Sequence, residues 1–127
     1  MPVQLNHTIV WSRDQDASAA DLAATLGLPA PTTFGPFSVV QVTNDVSLDF
    51  RTVPRDVAPQ HYAFLVSESD FDEIFDRIKN RGLTYWADPG HNNEGEINTR
   101  DGGRGVYWDS PDGHALEILT RPYGSGG

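Results

Sequence analysis

The sequence predicts an α+β fold made from one unit used twice, and three observations carry that reading. An apolar, strand-like stretch with a histidine opens each half: Leu5-Asn6-His7-Thr8-Ile9-Val10-Trp11, then Gln60-His61-Tyr62-Ala63-Phe64-Leu65-Val66. Each half closes on the pattern x-Leu-acid-x-x-Thr, in Ser47-Leu48-Asp49-Phe50-Arg51-Thr52 and again in Ala115-Leu116-Glu117-Ile118-Leu119-Thr120. Between opening and closing strands lie a helical stretch and short β-rich runs, so the order β-α-β-β(-β) occurs twice.

In the first half, residues 4–12 alternate about an apolar core and read as a strand. Residues 14–26 carry acids in the first turn and five alanines, with Gly27 where a terminating glycine belongs, and read as a helix. Pro29-Ala30-Pro31 breaks it. Phe37 to Val42 and Val46 to Val53 are β-rich runs joined by the hairpin signal Thr43-Asn44-Asp45. The proline-flanked stretch 54–59 is the one linker candidate, which puts module one at about 4–53 and module two at about 60–121 of a single domain spanning 1–127.

The second half repeats the plan. His61–Val66 reads as a strand, and Ser69 as the N-cap of a helix whose Phe71, Ile74, Phe75 and Ile78 form an i, i+3, i+4, i+7 stripe ended by Gly82. A short run at Leu83–Trp86, a polar glycine-rich loop, and strands at Gly105–Trp108 and Ala115–Thr120 follow. Ser110-Pro111-Asp112-Gly113 has the residue types of a type I turn. Residues 123–127 are expected to be disordered. The glycines of Asn98–Gly105 lack G-x-G-x-x-G spacing and lead into a strand, which excludes a dinucleotide fingerprint.

Bulk properties narrow the function by exclusion. The 127 residues suit one domain of modest core, and 38% hydrophobic with 21% charged residues is globular composition. A net charge of −9 argues against nucleic acid and anionic membranes as partners, while permitting a cationic ligand. The absence of cysteine excludes disulfides, thiolate metal sites and a cysteine nucleophile. No signal segment or membrane span is read, so the expected location is cytoplasmic.

Strand alternation places the chemistry. His7 shares a face with Leu5 and Ile9, His61 with Ala63 and Leu65, Asp49 with Ser47 and Arg51, and Glu117 with Ala115 and Leu119. Helices cover one sheet face, so these four residues line the cavity on the other. A carboxylate enclosed there calls for a cation, and two imidazoles with one or two carboxylates suit Fe, Mn, Co, Ni or Zn.

Asn6-His7-Thr8, His61-Tyr62-Ala63-Phe64 and, above all, the run from Gly105 through Tyr107-Trp108-Asp109-Ser110-Pro111-Asp112-Gly113-His114 to Glu117-Ile118 resemble the vicinal oxygen chelate (VOC) superfamily. That group includes glyoxalase I, bleomycin-resistance proteins, fosfomycin-resistance enzymes and extradiol dioxygenases, and the resemblance spans residues 4–121. It implies two βαβββ modules forming a curved mixed sheet, commonly in a homodimer whose metal sites draw on both chains. Carried over by position, the divalent-metal ligands are His7, His61 and Glu117. Asp49 falls where glyoxalase I has a fourth ligand and reads as that ligand or as a base. Tyr107, Arg104 and His91 are the expected substrate contacts.

Departures divide the family's activities. Ile9 stands where fosfomycin-type enzymes carry threonine, and Arg100 and Arg104 are the only cations in the suitable loop, which argues against that activity. The His-His-Glu set matches extradiol dioxygenases, although those commonly have about twice this length. Aspartate at position 49 is one methylene shorter than the glyoxalase I glutamate. The expectation is a metal-dependent enzyme, a glyoxalase-like lyase or isomerase or an extradiol-type dioxygenase, acting on a small substrate with vicinal oxygens. The alternative is a metal-free, bleomycin-resistance-like protein that sequesters a cationic or aromatic molecule.

Overall fold

The computed structural model describes residues 1–126. The chain divides at Ala58/Pro59, inside the proline-flanked stretch, into two compact units. Each holds one helix and one four-stranded mixed sheet, an α+β arrangement of two βαβββ modules. The sheets are thus separate four-stranded sheets, one per unit, rather than a single continuous ladder.

In unit one, β1 (His7–Ser12), α1 (Gln15–Leu26), β2 (Thr32–Phe34), β3 (Phe37–Gln41) and β4 (Ser47–Thr52) follow in order. The sheet order is β1-β4-β3-β2, with β1 parallel to β4 and the other pairs antiparallel. Strand β1 begins at His7, so residues 4–6 of the expected strand lie outside it and are exposed. Strand β2 carries no apolar alternation and is exposed throughout, which is why sequence pattern missed it. Asp14 caps α1, its carboxylate accepting from Ala17 N, and Gly27 ends it in the left-handed conformation at φ 71°. Ala19, Ala23 and Leu22 are buried, so small side chains seat this helix on its sheet. The Gln15 side chain accepts from Thr52 N at 2.8 Å and donates to Pro36 O at 2.9 Å, fastening the start of α1 to β4.

Unit two has β5 (His61–Leu65), α2 (Glu68–Asn80), β6 (Tyr85–Trp86), β7 (Gly105–Asp109) and β8 (Ala115–Leu119), in sheet order β5-β8-β7-β6 with β5 parallel to β8. The N-cap of α2 is Ser67, not Ser69. Ser67 has extended backbone and its Oγ accepts from Asp70 N at 3.1 Å, while Ser69 lies within the first turn. Phe71, Ile74 and Ile78 are buried as the stripe requires, and Phe75 meets Tyr85 edge-on at 5.0 Å. Register aligns Tyr62, Leu116, Trp108 and Tyr85 across this helix-covered face, with Trp108 buried in the core.

Two loops are more ordered than expected. Residues 98–105 close on themselves through paired Asn98–Gly105 backbone bonds of 2.9 and 3.0 Å around a short 3-10 turn at Arg100–Gly102. The segment expected to be disordered forms a turn, because Asp101 accepts from Gly124 N at 3.1 Å and Gly126 N at 3.3 Å. Gly127 lies outside the described residues. No helix among the described residues is long and apolar enough to cross a membrane.

Candidate metal centre in the second unit

The open face of the second sheet carries two rows set by register: His61, Ala115 and Asp109, then Ala63, Glu117, Tyr107 and Trp86. Because β5 and β8 run parallel with His61 opposite Ala115, Glu117 lies two residues along on the same face. Its carboxylate reaches back, and Oε1 stands 3.0 Å from His61 Nε2. Glu117 is 0% exposed and the His61 side chain 47% exposed, so the pair is sealed on the acid side and open on the imidazole side.

The protons on His61 can be counted. Nδ1 lies 3.0 Å from Ala115 O, an acceptor only, so Nδ1 carries a hydrogen. A neutral ring then has no proton to offer the Glu117 carboxylate, and a proton or a cation must sit between Nε2 and Oε1. The spacing suits a metal: ligand atoms about 2.1 Å from one ion and about 90° apart are about 3 Å from each other. The Nδ1–carbonyl bond also fixes the tautomer that presents the Nε2 lone pair.

The second carboxylate oxygen is engaged too. Tyr123 Oη donates to Glu117 Oε2, and Tyr107 Oη stands 2.6 Å from Tyr123 Oη. Since the only Tyr123 hydroxyl proton goes to the carboxylate, Tyr107 donates to Tyr123, and Arg100 Nη1 donates to Tyr107 at 3.2 Å. Burial, with the bonds to Glu117 and Tyr107, pushes the Tyr123 phenol well above its ordinary range, so it stays a donor. The Tyr107 ring stacks on His61 at 5.9 Å between centroids and 25° between planes.

The remaining expected site residues are distributed as follows. Arg104 turns to the helix side, where Nε meets Glu68 Oε1 and Nη1 meets Asp72 Oδ1, each at 2.8 Å, with the guanidinium over Phe71. The cation that joins the network is Arg100. His91, at φ 59°, stacks on Trp86 at 3.7 Å and has Nε2 3.3 Å from Asp109 Oδ1. It thus lies beside the row that holds Glu117 and Tyr107. His114, in the most specific part of the motif, is buried, and its Nδ1 accepts from Gln60 N at 2.9 Å. That bond anchors the residue before His61, so His114 holds the strand that presents the site. Asp112 and His114 belong to the turn's architecture, and Ser110 Oγ accepts from His114 N at 3.0 Å.

In unit one, His7 and Asp49 line one cleft of about 450 Å³ together with Asn6, Thr32, Phe34, Phe37 and Ser47. His7 Nδ1 stands 2.7 Å from Asn6 Oδ1, which leaves Nε2 free, and Asp49 accepts from Ser47 Oγ at 2.9 Å. No group of three or more His, Cys, Asp or Glu side chains gathers as a metal site among the described residues.

These features, a pair of four-stranded βαβββ modules with an imidazole–carboxylate pair on the open sheet face, define a class, and relatives agree with it. No family model matches the chain. The solved structure of oxidase ChaP-H1 is 70% identical, covers 97% of this chain and 99% of its own, and superposes with a TM-score of 0.95. Oxidase ChaP-H2 is 61% identical over the whole of both chains, with a TM-score of 0.97. The glutathione transferase FosA of Serratia marcescens is 35% identical over 78 residues, 58% of this chain. The chain spans about half (48%) of that relative's length. The protein belongs to the vicinal oxygen chelate superfamily.

Proposed function

We propose that this protein is a metal-dependent oxidoreductase of that superfamily, acting on a small substrate that presents two adjacent oxygens. The observation that carries the reading is the His61 Nε2–Glu117 Oε1 pair, 3.0 Å apart with Nδ1 already committed to a carbonyl. The oxidative branch is favoured over the lyase or isomerase branch because both high-identity relatives are named oxidases. His61, Glu117 and His7 are the proposed ligands, a two-histidine, one-carboxylate set of the kind that holds Fe(II) and leaves coordination positions open. When bound, the ion supplies Lewis acidity and a one-electron couple toward dioxygen.

The protein's own groups supply the rest. Asp49, half-buried beside His7 in the unit-one cleft, is assigned the role of proton acceptor for a substrate hydroxyl rather than a fourth ligand. Its carboxylate is one methylene short of the glutamate length, and its Oδ1 is already bonded by Ser47. His91 is the proposed substrate contact, shuttling a proton with Asp109 holding its ring. Tyr107, expected in that role, is buried with its hydroxyl between Tyr123 and Arg100 and instead backs the His61 imidazole. The working form is proposed to be a homodimer. Ile9 and Trp11 of unit one, 39% and 40% exposed, and Leu65 of unit two, 62% exposed, give apolar surface that a second copy would cover.

Elemental analysis of protein purified without chelators or a histidine tag tests the reading. About one iron per chain is expected, with the metal lost from His61→Ala and Glu117→Gln and retained by Asp49→Asn. Zinc in place of iron would overturn the oxidative branch, because it has no one-electron couple to offer dioxygen. Protein that holds no metal and refuses added metal would contradict the whole reading and leave a metal-free module for a cationic or aromatic ligand.

A further inference from the structure

We infer that Tyr123 is a positioning residue for the metal centre, held in place by a strap that closes on Asp101. The inference rests on the metal reading above. Glu117 has two carboxylate oxygens with different duties: Oε1 faces His61 Nε2, and Oε2 receives the Tyr123 hydroxyl. A carboxylate free to rotate would offer either oxygen, or both, to an ion. With Oε2 bonded by a phenol, the carboxylate plane is fixed and Oε1 alone is presented beside Nε2. Outer-sphere partners of metal-ligating carboxylates act in this way.

The hydroxyl is held from both sides. Tyr107 donates to it at 2.6 Å, Arg100 donates to Tyr107 at 3.2 Å, and the Arg100 guanidinium lies 5.9 Å from the Tyr123 ring centroid. Tyr123 as a residue is 52% exposed although its hydroxyl is desolvated, so packing alone does not keep it there. The backbone does that work: residues 121–126 form a turn, with Arg121 Nη2 donating to Ser125 O at 3.0 Å and Ser125 N to Pro122 O at 3.1 Å. The turn is tied to Asp101 through Gly124 N and Gly126 N. Asp101 in turn sits in left-handed backbone, φ 56°, next to Arg100, so one short loop sets both the strap's anchor and the far end of the hydrogen-bond chain. The strap and the loop are therefore one device for aiming a single carboxylate.

The test is titration of the metal-free protein with Co(II), followed by its visible absorption, on wild type, Tyr123→Phe, Asp101→Ala and the double variant. Tyr123→Phe keeps the ring and removes only the donor. Loss of such an outer-sphere bond is expected to weaken Co(II) about 10- to 100-fold, with a changed absorption band and a metal-free circular dichroism spectrum like that of wild type. Asp101→Ala is expected to move affinity the same way by releasing the strap, and the double variant to lose no more than Tyr123→Phe alone. Equal Co(II) affinity in wild type and Tyr123→Phe would overturn the inference, as would tighter binding in the variant, which would make the phenol a competitor of the metal. Those outcomes leave the metal reading intact provided His61→Ala still abolishes binding. Failure of wild type to bind Co(II) would remove both.

Discussion

The two modules share a register and differ in what that register holds. In unit one His7 pairs with Ser47 and Asp49 lies two residues on; in unit two His61 pairs with Ala115 and Glu117 lies two residues on. The backbone ladders match, with Ser47 N donating to Asn6 O at 3.0 Å and Ala115 N to Gln60 O at 2.8 Å. Yet only the second pair closes. Glutamate is long enough to reach the imidazole, and Ala115 offers no side-chain group to intercept it. In unit one the shorter aspartate is taken by Ser47, and Asn6 takes the histidine. The neighbouring strand widens the difference: Tyr107 stands opposite Glu117, whereas Val39 stands opposite Asp49. One half thus joins its imidazole to its carboxylate, and the other keeps the two apart, each on a neighbouring side chain.

The largest effect that would sharpen this contrast is on the metal. Glu117→Gln is expected to weaken divalent-metal affinity by more than about 100-fold, and Asp49→Asn by less than about threefold, since only the first is read as a ligand. Isothermal titration of both variants checks it, and equal losses would erase the asymmetry.

On stability, the largest effect lies in the packing of the two helices. Helix α1 buries alanines and Leu22, while α2 buries Phe71, Ile74 and Ile78. Phe71→Ala is expected to cost about 3–5 kcal/mol by emptying a buried aromatic volume. In α1 the sensitive change is the reverse one, and Ala19→Leu is expected to cost about 1–3 kcal/mol through overpacking. Urea unfolding of each variant measures these, and an Ala19→Leu variant as stable as wild type would show that α1 is less closely seated than its burial implies.

Smaller still are the caps. Asp14→Ala and Ser67→Ala are each expected to destabilise by about 1 kcal/mol, because each removes an acceptor for a first-turn N–H. A Ser69→Ala variant that cost as much as Ser67→Ala would move the α2 boundary.

The smallest effect is the pH dependence that Glu68 contributes in unit two. Hydrogen bonds from Thr120 and Arg104 hold the Glu68 carboxyl below its ordinary range. Its folded value lies below its unfolded one, so its contribution is present above the unfolded pKa and is lost as pH falls through the folded value. Arg104→Ala should lower stability at neutral pH and leave it unchanged at the acid end, so that the slope between the two shrinks. A slope that survives both Arg104→Ala and Thr120→Val would point to other carboxylates.

Much of this was legible in the sequence because period two and the duplicated pattern place side chains without coordinates. Faces for His61, Glu117 and Asp49, the α2 stripe and the turn at Ser110 follow from alternation and spacing alone. What pattern does not encode is which of two competing partners a polar side chain takes. Arg104 and Arg100 look alike in a glycine-rich loop, yet strand alternation at Gly105 sends the former to Glu68 and Asp72, while the 3-10 turn sends the latter to Tyr107. The exposed strand β2 has no apolar signal. Tyr123 was hidden because a Gly-Ser-Gly-Gly context reads as disorder, and only Asp101, distant in sequence, reveals that the turn has an anchor.

Module two carries the pair on which the metal is proposed to sit. Anomalous diffraction from crystals of the metal-loaded protein tests it most directly. The expected result is one strong peak between His61 Nε2 and Glu117 Oε1, about 2.0–2.2 Å from each. A peak elsewhere, or a loaded crystal with none beside Glu117, would contradict it.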